Sequence, residues 1–159
     1  MSDVVIRFMI VMVSAIVATT GISVMFGIEK RVLPWALLAA LLCCAGYEVT
    51  LMLGGGLLLA SMIGSALVAA YSDVMAHWLK TPATVLIIPG IVALVPGGKL
   101  YYTMLGAVSS DMDMFSQNGK EALLCAAGLA IGVVAVTAIS RPLNRKLAEY
   151  KQKKQRAEQ

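Results

Sequence analysis

Charge is what this sequence has least of. Only 14% of its residues are Asp, Glu, Lys or Arg, against about 25% in an ordinary soluble domain. So few charges cannot give 159 residues a water-facing surface, which sets a soluble globular fold aside. Histidine occurs once, at His77, and cysteine three times, at Cys43, Cys44 and Cys125. These positions have neither zinc-ligand spacing nor a disulfide framework. The cysteines fall inside apolar runs, where they serve as small packing residues. No glycine-rich phosphate loop is present, so the chain is no ATPase by itself. No Ser/His pair, paired carboxylates or metal-ligand set lies at a common depth. No enzyme activity, cofactor or metal is therefore expected.

What is abundant is apolar residues, at 59%, with a mean hydropathy of +0.82. Residues 8–28 run without a charge for roughly 31 Å of helix at ~1.5 Å per residue, enough to cross a bilayer core. They make a poor signal peptide, because "MSDVVIR" is acidic before it is basic, the run is too long, and no cleavage site follows. The pattern predicts an all-α integral membrane protein with about five transmembrane helices, at about 5–28, 33–53, 57–71, 84–109 and 122–139. Pro34 opens the second helix, where a missing N–H costs little. Gly54–Gly56 links the second and third as a tight hairpin. "SDVMAHWLKTP" (Ser72 to Pro82) and "SDMDMFSQNGKE" (Ser110 to Glu121) read as polar loops, with His77 solvated in the first. Residues 1–140 form the bundle, and 141–159 a basic tail that frays as a helix in water.

Basic residues set the orientation. Five crossings put the termini on opposite sides. With the tail in the cytoplasm, Lys30, Arg31, Lys80 and all seven basic residues of the tail lie inside. Arg7 and Lys120 lie outside, and Lys99 within a crossing. Trp35 and Trp78 then fall at the inner interface. The tail reads as a topology signal that also touches anionic lipid, not as a nucleic-acid site.

Small residues recur four apart on several helix faces: Ala36, Ala40 and Cys44; Gly56, Ala60 and Gly64; Ser61, Ser65 and Ala69; Gly128 and Gly132. In lipid, close backbone approach drives helix association. These faces predict either packing within the chain or, preferably, a multi-subunit assembly.

The fourth segment, "TVLIIPGIVALVPGGKLYYTML" (Thr84 to Leu105), carries the candidate site. Pro89 and Pro96 each remove an amide donor and crowd the carbonyl four residues back. Gly90, Gly97 and Gly98 follow them, and a spacing near two turns opens both breaks on one face. Carbonyls freed in lipid must be met by protein, water or a ligand, and transporters line substrate sites with such breaks. The segment is therefore expected to be broken at both Pro-Gly pairs and to line a cavity. Two ionisable residues fall in the apolar segments, Glu48 in the second and Lys99 in the fourth, and such residues point to function. They are expected to share a polar cavity, as a pair, with Glu48 as the proton-coupling carboxylate. Tyr47, Tyr101, Tyr102 and Thr103 could offer hydroxyls to a polar substrate.

"IIPGIVALVPGGKLYYTML", the early "GIEKRVLPWA" turn, the small-residue third segment and "VPG" followed by "YYTM" resemble the threonine/serine exporter family, specifically its smaller C-terminal-type membrane unit. The chain is also similar to the small subunit of bacterial dicarboxylate (succinate) exporters. Where the family pattern has a third proline between the two pairs, this chain has Ala93. The resemblance implies a multi-pass protein of the bacterial inner membrane that exports threonine, serine or small dicarboxylates. It also implies a larger N-terminal-type membrane partner; the fused members of the family carry both halves. The residues themselves suggest a homo-oligomer or a proton gradient as driving force, and leave open a non-transporting assembly subunit. Glu48 and Lys99 match no substrate residue of the family and rest on their chemistry.

Overall fold

The computed structural model describes the backbone of residues 2–157 and the side-chain surroundings of residue 6 and residues 8–140. It contains six helices: α1 (Ser2–Met25), α2 (Leu33–Met52), α3 (Leu57–Leu79), α4 (Thr84–Val92), α5 (Gly97–Val108) and α6 (Met112–Ala157). Pro34 sits in the first turn of α2, as its missing donor allows. The α2–α3 turn closes with Gly54 at φ +81, a conformation that favours glycine. A methyl on Gly55 would lie 2.8 Å from the Thr50 carbonyl.

Two expected loops are helical. The third helix does not stop at Tyr71 but continues to Leu79, so His77 lies in its last turn with Nδ1 2.8 Å from the Asp73 carbonyl. The extra turns stay helical because Met75 and Leu79 pack on a cluster of Val32, Ala36 and Leu86. The helix ends where Lys80 turns left-handed at φ 53, one residue before Thr81-Pro82. The polar segment from 112 to 121 is also helix. Asp111 Oδ1 accepts the Met114 amide at 2.9 Å, a side-chain N-cap that starts α6 ten residues earlier than expected. Only a tight turn remains between α5 and α6. α6 then runs unbroken into the basic segment.

α3 and α6 run parallel. A side chain on Gly128 would strike Ser61, one on Gly132 would strike Ser65, and Ser140 donates a hydrogen bond to the Asp73 carboxylate. α4 runs against α3: Gly90 lies on Val68, and Leu94 near Gly64. A chain joining two parallel helices must cross the full thickness between them, so α4 and α5 together form the fourth of five crossings, bent by 54°. We call the two faces of the bundle the Gly54 end and the Lys80 end. The α3–α6 register brings Glu121 level with Gly54. The first turns of α6 therefore overshoot the start of α3 by roughly 18 Å, and α5 packs along this overshoot.

Apart from Gly56, which is exposed, the small-residue faces are spent inside the chain. Ala36, Ala40, Cys44, Ala60, Gly64, Ser61, Ser65 and Ala69 are all buried within the bundle. They therefore give no outward face for assembly. α1 exposes an apolar face through Met9, Ile10, Val13 and Val17.

Candidate functional site

The fourth crossing is interrupted once, not twice. Pro89 lies inside α4, and the break occupies the stretch between Val92 and Gly97, at the second Pro-Gly pair. The first pair does not open the chain because α4 is clamped: Leu86, Ile87, Pro89 and Gly90 are all buried. A methyl on Gly90 would sit 3.2 Å from both Ala39 Cβ and Val68 Cγ1. Helix–helix contact holds the backbone that proline would otherwise bend.

At the break the hydrogen bonds shorten in register. The Leu94 and Val95 amides reach back three residues, to Ile91 and Val92, and the Gly97 amide reaches back two, to Val95. The Ala93 amide, the helical donor to the Pro89 carbonyl, makes no hydrogen bond to it among the described residues. The Thr19 hydroxyl of α1 supplies one instead, at 3.4 Å. The Leu94 carbonyl accepts the Cys125 thiol at 3.6 Å, and Cys125 Sγ lies 3.2 Å from Ser61 Oγ. Side chains from α1 and α6 thus meet two carbonyls of the interruption. Gly97 and Gly98 begin α5 with nothing within 4 Å of where a side chain would stand.

The two intramembrane charges do not pair. Lys99 forms an ion pair with Glu121 at 2.5 Å, and the two side chains are 47% and 35% exposed. This pair stands level with the Gly54 turn, at the edge of the apolar layer. The expectation of a Glu48–Lys99 pair fails because the α5–α6 register brings Glu121 to Lys99 first. Glu48 is 5% exposed within α2, with no hydrogen bond or ion pair among the described residues. Tyr101 and Tyr102 pack edge to face at 5.4 Å and point outward, and Thr103 returns its hydroxyl to the Lys99 carbonyl at 2.7 Å. Tyr47 packs on the core beside Gly64.

A cavity of about 320 Å3 opens at the Lys80 end. It lies between the α1–α2 connection (residues 26–29 and Val32) and the start of α4 (Thr81, Thr84, Val85, Ile88 and Pro89). Of the residues singled out in the fourth segment, only Pro89 reaches it. Hydroxyls inside the bundle differ in how they are satisfied. Thr50, Ser61 and Ser65, nearer the Gly54 end, bond to backbone carbonyls. Ser23, Tyr71, Ser72 and Thr81, all toward the Lys80 end, have buried hydroxyls with no partner among the described residues.

Compared with known families, residues 11–139 match the one described as threonine/serine exporter, ThrE. The chain belongs to the threonine/serine exporter family. Neither a curated protein nor a solved structure matches it. The matched region covers α1 from Val11 onward, the whole interrupted crossing and the membrane part of α6. A membrane protein of this exporter family is therefore folded around one broken crossing, with Thr19 and Cys125 as its immediate supports. The sequence flagged neither residue. Thr19 carried no signal beyond being polar in an apolar run, and Cys125 was read as a packing residue only.

Proposed function

We propose that this exporter subunit moves threonine- and serine-type amino acids from the Lys80 end, facing the cytoplasm, to the Gly54 end. The observation that carries this reading is the interrupted crossing, whose freed carbonyls are held by single side-chain contacts from α1 and α6. Such contacts can be exchanged one at a time without exposing backbone to lipid. α4 and α5 can then change their angle at the break. Glu48 is the proton-coupling group in this scheme: its carboxyl is buried in an apolar crossing and makes no ion pair among the described residues. A larger N-terminal-type membrane subunit completes the transporter. An assembly-only role is less well supported, because the small-residue faces are consumed within the chain.

The test is efflux of labelled threonine, serine and succinate from cells producing the chain with and without the larger subunit. Threonine and serine efflux should require both and collapse when the proton gradient is dissipated. Glu48→Gln should abolish proton-coupled efflux at normal abundance of the complex. Unchanged efflux at all pH values would remove Glu48 from the mechanism. Loss of the complex itself would point to scaffolding.

A further inference from the structure

The cavity at the Lys80 end joins two segments that are distant in sequence. The α1–α2 connection brings Gly27, Ile28 and Glu29, and the start of α4 brings Thr81 and Thr84. The lining is largely apolar but includes one carboxylate, two hydroxyls and neither lysine nor arginine. Thr81 Oγ1 is shielded from solvent and without a hydrogen-bond partner among the described residues. A buried hydroxyl in that state is free, among the described residues, to bond a ligand in the cavity. α4 has no side-chain cap; the Val85 and Leu86 amides are taken by the Pro82 and Ala83 carbonyls, and the amide of Thr84, a lining residue, has no helical partner among the described residues. The volume falls at the small end of the range for small-molecule sites, roughly 300–1,000 Å3.

We propose that this cavity is the loading site for the exported amino acid, bound as its zwitterion. This rests on the export reading above. Glu29 receives the ammonium group, and the Thr81 hydroxyl with the amide and hydroxyl of Thr84 receives the carboxylate. A dicarboxylate is disfavoured, because the lining opposes a second negative charge with Glu29 and offers no cationic side chain. Pro89 is part of the same lining, so a ligand here touches the residue whose carbonyl Thr19 holds at the interruption. Loading is thereby linked to the element that must move.

The test is uptake of labelled L-threonine into inside-out membrane vesicles, which expose the Lys80 end, from cells producing the chain and its partner. Glu29→Gln should raise KM for threonine at least tenfold with little change in kcat, and Glu29→Asp should recover part of it. Thr81→Val should raise KM severalfold, and Thr81→Ser should restore it. L-serine should compete and succinate should not. An unchanged KM in both Glu29→Gln and Thr81→Val overturns the site while threonine uptake by the parent chain leaves the export reading standing. Competition by succinate equal to that by L-serine overturns the zwitterion assignment. Absence of threonine and serine uptake by the parent chain overturns the export reading and this site with it.

Discussion

α4 and α5 are two halves of one crossing, yet they are held by opposite means. α4 is short and buried among α1, α2 and α3, and it keeps a proline without breaking. α5 is longer, leans on α6 alone, and buries a single residue, Gly106. Burial of neighbouring surface, not proline content, decides where this crossing opens. Pro89 and Pro96 are chemically the same residue. The first is enclosed by other helices, and the second precedes a stretch that touches only one.

The strongest way to break this contrast is to crowd the clamped half. Gly90→Leu should destabilise the bundle by about 1–3 kcal/mol through overpacking against Ala39 and Val68. Abundance and thermal unfolding in detergent would show it. Gly98→Leu, in open space at the start of α5, should leave both nearly unchanged. Equal losses from the two changes would mean that the halves are not held differently. A smaller effect is expected where side chains meet the freed carbonyls. Thr19→Val and Cys125→Val should each cost about 1 kcal/mol, the usual net value of a hydrogen bond, and should lower efflux more than abundance. The smallest effect belongs to the half-exposed ion pair. Lys99→Ala should change stability by only about 0.2–1 kcal/mol and less at high salt. A larger loss would show that α5 depends on that pair rather than on the Gly106 contact with Phe115.

The parts of this fold that were legible in the sequence rest on local physics. Apolar runs of bilayer length gave the crossings, Gly54–Gly56 the hairpin, and Pro96 followed by two glycines the interruption. The parts that were not legible depend on register between distant helices. Ser72 and Asp73 looked like loop residues because nothing local reveals that Ser140 lies beside Asp73. The early turns of α6 looked like a loop because their polar residues lie beyond the apolar layer, where a helix needs no apolar face toward lipid. Pro89 looked like a break because proline removes a bond, whereas the contacts on Gly90 that keep the helix straight come from α2 and α3. Lys99 drew attention as a deep charge, but its depth and its partner Glu121 are fixed by the α5–α6 turn. The Lys80-end cavity draws on two segments separated by the whole of α2 and α3, so no short motif announces it.

The parallel course of α3 and α6 has an electrostatic consequence. α1 points the same way, so three of the five crossings end their carbonyl-rich termini at the Lys80 end while α2 and α4 oppose them. The surplus is one helix dipole, equivalent to about half an elementary charge of negative sign at that end. Lys30, Arg31 and Lys80 lie at the same end. The cations that bias which way the chain threads into the bilayer are thus also the ones that neutralise its residual dipole, so direction of insertion and electrical balance favour a single topology.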